Sequence, residues 1–210
     1  MSILNAVRIT SSFIAVAGAL LAPNAASAQP DPATPHDAAL CITCHGVHGE
    51  GAPTGAPRLA GQNAAYMSHA LSMFKAGTRA SPIMQPIAQT LSDAQMSELA
   101  DYFSKQTAPL AEAHSVASPQ VLQAGKQLAE TGVAGVAACF SCHGTQGRGN
   151  GARFPGIAGQ PAQFVIDRLH EFQARARAKT PKPGTMTAVA ATMDESQIQA
   201  AAAYLSRLED

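Results

Sequence analysis

Tryptophan is absent from this 210-residue chain, aromatics make up 5% of it and charged residues only 13%. Each scarcity excludes something. With 14 Lys/Arg against 14 Asp/Glu the chain has no excess of basic residues, so it lacks the positive surface that a nucleic-acid partner demands. Beyond residue 28 no apolar run approaches the roughly 20 residues that a membrane-spanning helix needs. No stretch alternates convincingly with period two, so no sheet of consequence is expected. The chain has four cysteines, Cys41, Cys44, Cys139 and Cys142, and all four stand in two short motifs, "CITCHGVHGEG" and "CFSCHGTQGRG". None is left for a separate disulfide.

What is present begins with residues 1–28. Arg8, the apolar run "ITSSFIAVAGALLA", the helix-breaking Pro23 and the small residues Ala26, Ser27 and Ala28 form the pattern of a cleaved secretory signal. An uncleaved anchor is the alternative, and the run is short for it. The expected location is the periplasm, with cleavage near Ala28. Removing Arg8 leaves 13 basic against 14 acidic residues. Their distribution is uneven: residues 29–106 carry four Lys/Arg against six Asp/Glu, and residues 119–210 carry nine against seven. A dipolar molecule is expected.

The two cysteine motifs are offset by 98 residues, and the match extends past them. Ala60-Gly61-Gln62 falls on Ala158-Gly159-Gln160, Tyr66 on Phe164, Leu71 on Leu169 and Phe74 on Phe172. After a four-residue insertion the offset becomes 102, and "MQPIAQTLSDAQ" lies over "MTAVAATMDESQ". A single period of about a hundred residues marks a duplicated domain rather than a solenoid. The expected division is a signal at 1–28, domain 1 at 29–106, a linker at 107–118 and domain 2 at 119–210.

Each copy reads as helical. Ser92 and Asp194, each followed three positions later by Gln, are helix-start signatures. The apolar residues Met96, Leu99, Ala100 and Phe103 in copy one, and Ile198, Ala201, Ala202 and Leu205 in copy two, recur at helical spacing and predict one buried stripe per helix. A middle helix is expected from about Ala64 to Lys75 and from about Ala162 to Arg177. Copy two also opens with a helix capped by Ser118, with Pro119 in its first turn and Gly125 positioned for a close approach to the final helix. Copy one has only "QPDPATPHDAAL" before Cys41, room for barely one turn. Its last helix therefore lacks the equivalent partner, and the stripe is expected to seek a contact with the linker, with domain 2 or with another subunit.

Domains of this size, rich in Ala and Gly and without a disulfide, bury too little surface to be secure. The cysteine motif supplies the missing core. C-x-x-C-H attaches c-type haem: two thiols at that spacing add to the two vinyl groups of one porphyrin, and the adjacent histidine lies under the iron. Zinc would need four ligands, and each copy offers one cysteine pair. A thioredoxin-like pair would need a βαβ pattern, which is absent. A disulfide would leave the repeated histidine unexplained. Two covalently attached haem c groups are expected on Cys41, Cys44, Cys139 and Cys142, with His45 and His143 as axial iron ligands.

The sixth ligand separates electron transfer from chemistry on a bound molecule. Met67, Met73, Met96 and Met193 fall at core positions or lack a counterpart. Met84 and Met186 are methionine in both copies, in what reads as a loop 39 and 43 residues past the histidine, and are the expected sixth ligands. His36, His48, His69, His114 and His170 have no counterpart. Arg168, Arg175, Arg177, Lys179 and Lys182 read as a solvated face that could double as a docking patch, and Arg58 and Arg153 as candidates for the haem propionates.

With these motifs in this order, the chain resembles the dihaem cytochrome c4 family, two class I cytochrome c domains in tandem. The resemblance implies an all-α fold, each domain wrapped around one haem. It further implies that the carbonyls of Pro57 and Pro155, twelve residues past each histidine, accept its Nδ1 proton, and that Leu59 and Ile157 pack on the haem face. The function expected is electron transfer between respiratory partners, not catalysis. The partners expected are redox proteins: a quinol-oxidising complex, a terminal oxidase or a dehydrogenase. Membrane association would be peripheral, through such a partner. An electron-transfer subunit of a periplasmic dehydrogenase, oxidising thiosulfate or an alcohol, is the alternative; a dihaem peroxidase would need a displaceable sixth ligand.

Overall fold

The structure is a computed structural model that describes residue 35 and residues 37–111 and 117–209. The expected signal segment, its cleavage point, His36 and His114 lie outside the described residues. Among those described, all regular structure is helical, apart from isolated bridges pairing Val133 with Val136 and Asn150 with Phe154.

Copy one contains α1 (Ala38–His45), α2 (Ala64–Lys75), α3 (Met84–Gln89) and α4 (Asp93–Ser104). Copy two contains α5 (Pro119–Glu130), α6 (Phe140–His143), α7 (Ala162–Ala178), α8 (Met186–Ala191) and α9 (Glu195–Leu205). The expected helix starts are where the capping chemistry puts them. Ser92 and Asp194 each accept from the backbone N–H three residues on, and Gln95 and Gln197 reach back to close a capping box at α4 and α9. Ser118 caps α5 by accepting from Val121 N–H, with Pro119 in the first turn, where its missing N–H leaves no intrahelical bond unmade.

The stripes are buried. In copy one Met96, Leu99, Ala100 and Phe103 are 2–3% exposed and cluster with Ala38, Met67 and Leu91. This corrects the expectation that the stripe lacks a partner within its own domain and packs on the linker, on domain 2 or on another subunit. The short α1 and the middle helix α2 close over it, and the Asp37 carboxylate fastens the entry to α1 by accepting from Gln95 Nε2 at 2.7 Å. In copy two Ile198, Ala201, Ala202 and Leu205 join Leu128 and Ala129 of α5. Here Gly125 is indispensable: a Cβ on it would run into the Ala200 carbonyl oxygen and the Tyr204 side chain.

Candidate functional site

Each C-x-x-C-H motif ends a short helix, and the chain then turns sharply through glycines. Gly49 and Gly147 both have φ +77°, a left-handed conformation, and a Cβ on either would press on the core. Their carbonyls each receive two N–H groups, Leu59 and Ala60 in copy one, Ile157 and Ala158 in copy two. That loop carries a proline back beneath the histidine. His45 Nδ1 lies 2.8 Å from the Pro57 carbonyl oxygen, and His143 Nδ1 lies 2.8 Å from that of Pro155. A carbonyl oxygen can only accept, so Nδ1 carries the proton and Nε2 keeps its lone pair. Burial pushes the titration of both imidazoles down and the proline hydrogen bond partly opposes it, so both rings are held neutral in this fold.

None of the four cysteines is joined in a disulfide. Burial pushes Cys41 and Cys139 up to about 11, with the Asp37 carboxylate adding to the rise at Cys41, while Cys44 and Cys142 are exposed. Each motif thus has one inner and one outer thiol. Leu59 and Ile157 are half-buried beside their motifs, Leu59 against the copy-one core and Ile157 against that of copy two.

Met84 and Met186 are not in loops. Each is the first residue of a six-residue helix, because Ser81 Oγ accepts from Met84 N–H at 3.0 Å and Thr185 accepts from Ala188 N–H. Both are half-buried, and Met186 packs on the same core cluster as Cys139, Phe140 and Ile157. Met67, Met96 and Met193 are buried core residues. His48 and His69 are exposed, and His170 is spent on Glu195 at 2.8 Å.

The arginines redistribute. Arg58 donates to the Ala108 and Pro109 carbonyls of the linker, at 2.8 and 2.9 Å, and Arg153 is exposed beside Phe154. Arg79, which sequence reasoning passed over, is buried against Phe74, and its Nε has no hydrogen-bond partner. Arg168 of copy two lies within its electrostatic range: burial, and then the positive charge of Arg79, push Arg168 down to about 10. Arg168 pairs with the Glu171 carboxylate and Arg79 donates through Nη1 to the Tyr66 hydroxyl at 3.4 Å, which leaves Arg79 Nε as a buried donor that a porphyrin propionate could accept from. With the cysteine pairs and the two Nε2 lone pairs, the residues present fit haem. Among the described residues no group of three His, Cys, Asp or Glu side chains converges as a zinc site would require.

The two copies also grip one another. Gln62 of copy one pairs through its amide with Gly156 of copy two: Nε2 donates to the Gly156 carbonyl and Oε1 accepts from its N–H, both at 2.9 Å. Gln160 makes the mirror pairing with Arg58, both bonds at 3.1 Å. Both glutamines are buried. The only sequence signal was their recurrence in both Gly-Gln pairs, which also reads as the opening of a helix.

A family model described as Cytochrome c matches residues 33–107 and again residues 122–209. A thiosulfate dehydrogenase electron acceptor of Stutzerimonas stutzeri strain A1501 is 38% identical over 176 residues, covering 81% of this chain and 80% of its own. The solved structure of Acidithiobacillus ferrooxidans cytochrome c4 is similar with a TM-score of 0.69 at 34% identity, over 80% of this chain and 98% of that one. The structure of thiosulfate dehydrogenase (TsdBA) from Marichromatium purpuratum is similar with a TM-score of 0.70 at 34% identity, over 80% of this chain and 36% of that one.

Proposed function

The chain belongs to the cytochrome c family, in its dihaem cytochrome c4 branch, and from that premise we propose that His45 with Met84, and His143 with Met186, are the axial iron ligands of its two haems. Two covalently bound haem c groups on Cys41, Cys44, Cys139 and Cys142 make it an electron-transfer cytochrome. The observation that carries the axial assignment is the imidazole held identically in both copies, Nδ1–H on a proline carbonyl at 2.8 Å and Nε2 bare. Bound there, haem supplies one-electron exchange at its iron. The protein fixes the tautomer and direction of the ligating ring, raises its basicity through the proline carbonyl, and keeps water from the ring by burial. Leu59 and Ile157 would pack against the haem, and Arg79 Nε would hold a propionate. Met84 and Met186 would supply sulfur to the iron, a ligand type that raises the potential and favours carrying electrons over reacting with peroxide.

The domain boundaries proposed are 29–106, 107–118 and 119–210, with residues 1–28 removed on export to the periplasm. Among the described residues no helix is long and apolar enough to cross a membrane. The donor proposed is a thiosulfate dehydrogenase, a reading supported by the electron-acceptor relative and the TsdBA structure. Chemically the carrier would accept electrons one at a time from thiosulfate oxidation and pass them to a respiratory acceptor.

Spectroelectrochemical titration of the exported holoprotein tests the ligand set. Met84→Ala and Met186→Ala should each abolish the sulfur-to-iron band of one haem, lower that haem's potential and admit carbon monoxide there. Unchanged spectra in both variants would remove these methionines. Reduction of the purified protein by thiosulfate only when thiosulfate dehydrogenase is added would support the donor.

A further inference from the structure

The glutamine pairings meet the histidine anchors on the same two peptide planes. The peptide joining Pro57 to Arg58 accepts at its carbonyl from His45 Nδ1, while its N–H, that of Arg58, donates to Gln160 Oε1 of the other copy. The peptide joining Pro155 to Gly156 accepts from His143 Nδ1, while the Gly156 N–H donates to Gln62 Oε1. Each imidazole is thus the first link of a chain that runs through one amide into a side chain of the opposite copy. A peptide whose N–H is donated to an acceptor is polarised, and its carbonyl becomes a better acceptor in turn; chained hydrogen bonds strengthen one another by about 10–30% each. A stronger pull on Nδ1–H gives the ring more imidazolate character and makes Nε2 a better donor to a ferric iron.

We propose that Gln160 and Gln62 are crossed positioning residues, each tuning the axial histidine of the opposite copy, so that Gln160 governs the haem on Cys41 and Cys44 while Gln62 governs the haem on Cys139 and Cys142. The burial of both side chains keeps water from substituting for them: Gln62 is 8% exposed and Gln160 is 5% exposed. The arrangement also gives the contact between the copies a consequence for redox chemistry. Any event that draws the copies apart breaks both chains and raises both potentials, and any event that tightens one glutamine lowers the potential of the haem it does not sit beside.

The proposal rests on His45 and His143 being iron ligands, and that reading stands or falls first in the unmutated oxidised protein, where both rings must show the hyperfine-shifted resonances of iron-bound imidazole. The glutamines are then tested in the reduced holoprotein by following each histidine Nδ1–H resonance and each haem's potential. Gln160→Leu should move the His45 Nδ1–H signal upfield and raise the potential of the first haem, with His143 and the second haem unmoved. Gln62→Leu should do the reverse. Gln160→Glu keeps an acceptor oxygen for Arg58 N–H and should bring the His45 signal back toward its original position, which a mere packing role would not do, since a buried carboxyl packs worse than Leu. If a Leu variant fails to incorporate haem, the Asn variant, with its amide drawn back by one methylene, is read in the same way. A shift of both histidines together, of neither, or of the histidine in the mutated copy alone overturns the proposal.

Discussion

The two copies agree around the histidine of each Cys-x-x-Cys-His motif and differ where the helices are braced. Around each histidine the hydrogen bonds repeat atom for atom: the Gly49 and Gly147 carbonyls bind the same pair of N–H groups, and the two proline anchors have the same length. Outside that loop, copy two lays α5 along α9, whereas among the described residues of copy one only the first turn of α1 precedes Cys41. The difference teaches that the ligand geometry is a local property of the loop. The full helix set braces the domain but does not build the site. It also predicts separate sources of stability, with the α5 and α9 pair of copy two expected to hold together without its cofactor better than α2 and α4 of copy one.

Removing the cofactor from one copy at a time puts the greatest strain on this contrast. Cys41→Ala with Cys44→Ala should leave one haem mass and drop the opening free energy of α2 and α4 toward about 0 kcal/mol, the fraying limit seen by hydrogen exchange. Cys139→Ala with Cys142→Ala should also leave one haem mass, yet preserve slow exchange in α5 and α9, where Leu128, Ile198 and Ala202 remain packed. Equal loss of protection in the two variants would show that the extra helix confers no independence.

A smaller effect comes from wedging the brace itself. Gly125 sits where α5 crosses α9, so Gly125→Val must push the helices apart. Overpacking of this kind costs about 1–3 kcal/mol. In a domain of this size each kcal/mol lowers Tm by roughly 4–8 °C. Copy two should then melt ahead of copy one, giving a two-step calorimetric trace. A single transition displaced as a whole would mean that the copies unfold as one unit, held together by the glutamine pairings.

Much of this was legible in the sequence because its causes are local. The capping boxes at Ser92 and Asp194 and the start of α5 at Ser118 depend on residues three apart, whereas the reach from each histidine to its proline, twelve residues on, follows only from the family resemblance. The cross-copy bonds span 94 and 102 residues, and nothing in a Gly-Gln pair distinguishes an interface amide from a helix opener. Arg79 gave no signal, since an arginine after Gly77 and Thr78 reads as solvated until the fold buries it. Pro82 and Gly184 make Met84 and Met186 read as loop residues, while the hydroxyls of Ser81 and Thr185, which accept from backbone N–H groups at the start of the short helices, are the contrary cue. The copy-one stripe needs no partner on the linker, domain 2 or another subunit, because Ala38 and Met67 pack into the same cluster as Phe103.

The smallest expected effect separates the two final helices by the chemistry of their caps. Both α4 and α9 are started by a capping box, but Ser92 uses a hydroxyl and Asp194 a carboxylate. Ser92→Ala should cost copy one about 1 kcal/mol at any pH, because a hydroxyl does not titrate in the accessible range. Asp194 is held below the usual carboxylate range, first by the Ser196 hydroxyl and then by the Gln197 N–H, and Glu195 is held down by Gln199 and His170. A carboxyl depressed in the folded state contributes stability that is fully present above its unfolded value, near 3.8 for Asp194, and is lost as the pH falls through the lower folded value. The start of α9 should therefore loosen as acid is added from about pH 4 downward, while the start of α4 does not respond through its cap. Hydrogen exchange at the first turn of each helix, followed over that range, measures the difference. Asp194→Ser should make copy two behave like copy one and remove the acid response attributable to its cap, leaving only that of Glu195; persistence of the full response in that variant would assign it elsewhere in the domain.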